Sequence, residues 1–145
     1  MSDVNFNTIL DTPAEEIKAK PPLPVGTYDF RIKSYESVVS SKKKTNGVEF
    51  TCVPFAAGED VDATALAESG GLEGREISTT YYITEGSAAM LRDFLTETCQ
   101  MDATGKTLRQ LIAESPNNSF RATVTHGISQ SGRQFAQIGV VMKIE

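Results

Sequence analysis

From Thr27 to Tyr35 apolar and polar residues alternate, with Tyr28, Phe30 and Ile32 on one side and Asp29, Arg31 and Lys33 on the other. A period of two predicts a half-buried strand. The alternation recurs at Val48, Phe50 and Cys52 against Glu49 and Thr51. It recurs again at Ile77, Thr79, Tyr81 and Ile83 against Ser78, Thr80 and Tyr82. Phe120, Ala122 and Val124 against Arg121, Thr123 and Thr125 predict a fourth strand, and residues 133–144 a fifth, joined by a loop over 126–132. Asn46-Gly47 reads as the turn between the first two strands, and Pro54 limits central pairing of the second.

Elsewhere the period is helical. Leu91, Phe94, Leu95 and Thr98 fall at i, i+3, i+4 and i+7, so a helix is expected over 85–98 with Thr84 as its cap. Thr107 and Gln110 form a capping box for a second short helix with Leu108, Leu111 and Ile112 as its buried stripe. A third short helix is expected at 62–69, closed by Gly70-Gly71, inside an acidic insertion at 56–75.

Three strands, a helix, then two strands is the order of a five-stranded antiparallel OB-fold barrel with a helix between strands three and four. A small β-sandwich and an α+β sheet fit the same order. The lack of crossover helices between strands argues against a parallel α/β sheet. This domain is expected over 25–145, preceded by an arm over 1–24. Thr12-Pro13-Ala14-Glu15 starts a helix in the arm, and Lys20-Pro21-Pro22-Leu23-Pro24 stops it and favours an extended, stiff linker. Phe6, Ile9 and Leu10 give the arm apolar residues that dock either on its own domain or on a neighbouring copy; the second option makes a homo-oligomer.

Composition narrows the function classes. With 145 residues and 39% hydrophobic content the chain is long enough for one domain with its own core. No run of about 18 apolar residues predicts a membrane span, and no basic, then apolar start predicts secretion. The cytoplasm is the expected setting. Cys52 and Cys99 are then expected as free buried thiols. His126 is the only histidine, which leaves no Cys/His zinc site, and no metal or cofactor is expected.

The enzyme motifs fail one by one. Gly105-Lys106-Thr107 resembles the end of a P-loop, yet Gln100 stands where the first glycine belongs. Glu59, Asp60 and Asp62 lack the calcium-loop pattern. No Ser or Cys sits in a local signature with His126. A non-enzymatic role is expected.

Charge placement is more informative than its total of -5. Residues 37–47 carry Lys42, Lys43 and Lys44 and no acid, and residues 126–134 carry Arg133 and no acid. Residues 59–76 hold six acids against Arg75. In an OB-fold the loops between strands one and two and between four and five flank the oligonucleotide face, so the cations fall where a phosphate chain would lie. Lys42, Lys43, Lys44, Arg31, Lys33, Arg121 and Arg133 are the candidate phosphate contacts. Tyr35, Tyr82 and Phe135 are the candidate stacking rings, since every base offers a π face. The ordinary meanings of the same residues are a solvated lysine turn and core rings with surface hydroxyls.

Pro22-Leu23-Pro24-Val25-Gly26-Thr27-Tyr28, a Lys/Ser-rich turn and Gly47-Val48-Glu49-Phe50-Thr51 together resemble a family of short phage and prophage proteins. The likeness continues through Gly71-Leu72, Tyr81-Tyr82-Ile83-Thr84-Glu85, the Leu91 to Leu95 helix and Gly105-Lys106-Thr107-Leu108. Some members are described as single-stranded DNA-binding proteins of phage replication and recombination. The resemblance implies an OB-fold, no cofactor, no enzyme activity, and single-stranded DNA with phage or host replication and recombination proteins as partners. One feature departs: single-strand binders of phages and bacteria commonly end in an acidic tail, whereas this chain ends Val140-Val141-Met142-Lys143-Ile144-Glu145. The alternative is a virion or assembly protein built on the same small barrel.

Overall fold

A computed structural model describes Leu10 and residues 21–144. Five antiparallel strands form one sheet: β1 (Gly26–Val39), β2 (Asn46–Ala57), β3 (Ile77–Tyr82), β4 (Ser119–Ile128) and β5 (Gln134–Met142). Their spatial order is β3-β2-β1-β4-β5, every neighbouring pair antiparallel. The hydrogen-bonded ladder is open between β3 and β5, so the expected barrel is not closed by strand pairing. The sheet nevertheless curls enough to bring these two edge strands close together.

The helices are α1 (Ala63–Glu68), α2 (Ala88–Asp93) and α3 (Leu108–Ala113). Asp62 caps α1, its carboxylate accepting from the amides of Thr64 and Ala65. Thr107 and Gln110 form the reciprocal capping box of α3. Thr84 and Ser87 exchange hydrogen bonds, and α2 begins only after Ser87. α2 then widens into a π-helical turn, Phe94–Thr98. The wider turn changes the phase of the buried stripe: Cys99 is buried, whereas Thr98 is half-buried.

The alternating residues bury as their period requires. Tyr28, Phe30, Ile32, Phe50, Cys52, Phe120, Ala122 and Val124 form one core with Leu91, Phe94, Leu95 and Leu111. Phe94 is central to it. Its ring lies 5.1 Å from Phe120 on β4, 5.6 Å from Phe50 on β2 and 5.0 Å from Tyr81 on β3. One side chain reaches both halves of the sheet only because the sheet curls around it. Cys52 and Cys99 are free and buried, and burial pushes both thiols up to about 12.

Two local readings change. Asn46-Gly47 is not the turn: it opens β2, paired with Val39 and Val38. The chain reverses over residues 40–45, with Lys44 in the left-handed region at φ 54°. Glycine is needed at 47 for another reason, because a Cβ there would lie 2.8 Å from the ring of Tyr82. The loop placed at 126–132 is shorter, since β4 continues through His126, Gly127 and Ile128. Pro54 sits where expected: β3 pairs with β2 only as far as Cys52, so the missing amide of Pro54 breaks no ladder bond on that side.

Candidate nucleic-acid interface

Strand register assigns each predicted residue to a face and an end. Directly paired residues share a face. Tyr82 is paired with Gly47, on the face away from the core, and its ring is exposed. Tyr35 is paired with Phe50, so it lies on the core face but beyond the core, where β1 no longer has β4 beside it. The turn carrying Lys42, Lys43 and Lys44 follows directly, and all three are exposed. None has a carboxylate partner among the described residues. The structure thus brings the lysine turn, Tyr82 and Tyr35 to one end of the β1–β2 hairpin.

A cleft of about 600 Å³ opens beneath this end, between the hairpin and α3. Tyr35, Val39, Val48, Ile83 and Ile112 line it, and its one charged lining residue is Arg109. Arg109 is exposed and has no carboxylate partner among the described residues. Sequence reading missed it. Its position on the polar side of a short amphipathic helix looks ordinary, and only the fold sets it on a cleft that Val39 and Asn46 at the end of the hairpin also line.

The remaining predicted cations lie elsewhere or are engaged. Lys33 stands at an irregularity in the β1–β2 register and pairs with Glu76 at 2.5 Å. Arg121 pairs with Asp29 at 2.7 Å, directly across from it on β1. The cavity of about 540 Å³ beside Arg121 is lined by Asp29, Glu59 and Asp60, an acidic setting for a phosphate contact. Arg31, on the outer face opposite Val53, has no carboxylate partner among the described residues. Glu36 and Glu49 are directly paired on that same face. Like charges so placed repel, and they set an acidic barrier between Arg31 and the lysine turn.

Arg133 and Phe135 belong to the opposite end of the sheet. Gly26, the first residue of β1, pairs with Val124, so the β4–β5 turn lies past the start of β1 while the lysine turn lies past its end. Phe135 pairs with Gly127, where a Cβ would meet its ring at 2.7 Å. Both Tyr82 and Phe135 therefore lie over a cross-strand glycine, which explains their placement by sheet packing alone.

Intramolecular contacts dominate this second end. Leu23 is buried, at 1% exposure, and borders a cavity of about 280 Å³ with Arg75, Ile77 and Phe135. The hydroxyl of Tyr28 donates to the Pro24 carbonyl at 2.7 Å, and His126 Nε2 lies 2.6 Å from the Leu23 carbonyl. The only histidine therefore holds the linker. Asp60 accepts from the Thr27 amide at 2.9 Å and the Thr27 hydroxyl at 2.7 Å. Those hydrogen bonds hold the Asp60 carboxyl below its ordinary range. Val61 seats against Gly26, where a Cβ would approach its Cγ2 to 2.6 Å.

The described residues contain no cluster of three or more His, Cys, Asp or Glu side chains able to hold a metal ion, and no described helix is long and apolar enough to cross a membrane. No protein-family model matches this sequence, and no curated protein matches it.

Proposed function

We propose that the protein binds single-stranded DNA without sequence preference through the lysine end of the β1–β2 hairpin, as a non-enzymatic factor of phage replication or recombination acting in the bacterial cytoplasm. The observation that carries this reading is the lysine turn: three consecutive cations, exposed and unpaired among the described residues, beside the exposed ring of Tyr82. Cations engage phosphates and release counterions, and an exposed ring stacks on any base. Arg109 extends the cationic surface, and Tyr35 offers a second ring. An OB-type closure fits this reading, because the β3-β2-β1-β4-β5 order leaves β3 and β5 as neighbours once the sheet curls. The resemblance to phage single-strand binders supports the biological setting.

Fluorescence anisotropy with labelled oligo-dT and with duplex of equal length tests the proposal. If three or four phosphates are neutralised, log affinity falls against log salt with a slope of about -2 to -3 for the single strand. Absence of binding to oligo-dT at low salt overturns it.

A virion or assembly role is the second reading. It is favoured by the exposure of Leu10, an apolar residue with 64% of its surface open.

A further inference from the structure

Two features of the chain suit one another. The first is the cleft between the β1–β2 hairpin and α3. It is about 600 Å³ in volume, its walls include Val39, Val48, Ile83, Leu108 and Ile112, and Arg109 is its one charged lining residue. The second is the beginning of the chain. Through Ile17 it carries four acids, Asp3, Asp11, Glu15 and Glu16, and no Lys or Arg, with Lys18 and Lys20 following, and Phe6, Ile9 and Leu10 are grouped among its apolar residues. Leu10 remains 64% exposed, so its own domain does not cover it.

The two are complementary. The cleft offers apolar walls and a cation with no acid lining it. The Phe6–Leu10 segment offers apolar side chains flanked by Asp3 and Asp11, and the first base, Lys18, stands eight residues beyond Leu10. The anchored linker sets the geometry: Leu23 is fixed in the core at the end of the sheet opposite the cleft. The ten residues between Leu10 and Pro21 reach at most about 33–36 Å when extended, enough to carry Leu10 away from its own domain.

We infer that the Phe6–Leu10 segment of one copy docks into the hairpin–α3 cleft of a second copy, with the flanking acids facing Arg109. Reciprocal exchange closes a two-fold dimer, and one-way exchange builds an open chain of copies. The apolar contact supplies adhesion, and the charge match favours this segment over others.

The test uses the full-length protein without nucleic acid, so it succeeds or fails independently of DNA binding. Light scattering after size exclusion, in low salt and across micromolar concentrations, is expected to show a mass of two or more copies. Leu10→Asp and Arg109→Glu each weaken self-association at least about tenfold, since one removes the apolar contact and the other opposes the acids. Both positions are exposed, and circular dichroism confirms that the variants fold. Combining Arg109→Glu with Asp11→Lys and Glu15→Lys restores association. A monomer at all concentrations overturns the inference. Self-association that neither single variant weakens, or that the charge reversal does not restore, overturns it as well.

Discussion

The two ends of β1 use similar residue types in opposite ways. At its start, charged and polar groups are engaged within the fold: Asp60 with Thr27, Arg121 with Asp29, and His126 with the Leu23 carbonyl. At its far end, Lys42, Lys43, Lys44 and Arg109 have no carboxylate partner among the described residues. A cation in the sequence is therefore not the same as a cation available to a ligand. An arginine held by a facing carboxylate must give up that contact before it binds phosphate, whereas an unpaired lysine loses only hydration and counterions.

The largest break is expected at the engaged end. Leu23→Ala removes a side chain that is 1% exposed, and costs about 2–5 kcal/mol by the usual range for buried leucine truncation. Urea unfolding monitored by circular dichroism measures it. A loss below about 0.5 kcal/mol, the range of ordinary surface changes, shows that the linker is not part of the core.

Replacing Lys42, Lys43 and Lys44 together with alanine acts on the other end alone. Stability changes by less than about 0.5 kcal/mol, because no described ion pair is lost. The salt dependence of oligo-dT binding flattens by about 2, at roughly 0.7 per lost phosphate contact. An unchanged slope removes the lysine turn from the interface.

Alkaline pH probes the core between the two ends. Burial raises Cys52 and Cys99 from 9.0 to about 12, and Tyr28 and Tyr81 from 10.0 to about 12. The unfolded chain releases these protons first, so their stabilising effect is complete below pH 9 and is lost as pH rises towards 12. Thermal melts from pH 7 to 11 should show a falling midpoint that begins near pH 9. A flat profile across that range contradicts the burial of these groups.

Smaller effects separate the faces. Glu36→Gln with Glu49→Gln removes a directly paired repulsion, and is expected to stabilise by about 0.2–1 kcal/mol. It also tightens oligo-dT binding if a phosphate chain crosses β1 and β2. Arg121→Ala is the mildest change: it costs about 0–1 kcal/mol, as partly exposed ion pairs do, and leaves the salt slope where it was. A slope flattened by about 0.7, the value of one phosphate contact, would show that Arg121 leaves Asp29 to bind DNA.

Local pattern determined much of the architecture. The alternation at Tyr28, Phe30 and Ile32, and at Phe120, Ala122 and Val124, fixed which faces bury, because a strand has a period of two. The cap at Thr107 was legible because capping is a contact within one turn of helix. The Asn46-Gly47 signal misled because pairing with Val39 and Val38 of β1 draws both residues into β2, and the ring of Tyr82 supplies the reason for the glycine. The phase slip at Cys99 was hidden because nothing in the spacing marks a π turn; packing of the helix against the sheet selects it.

For the candidate site, the sequence by itself determined the run of three lysines free of nearby acids, since charge and order along the chain need no fold. Only the tertiary structure decided which cations remain unpaired, that Arg109 joins the lysine end, and that Arg133 and Phe135 lie at the other. Those outcomes depend on partners far away in sequence, Asp29 for Arg121 and Glu76 for Lys33. Coulomb attraction acts over distance in space, and distance in space is what folding sets.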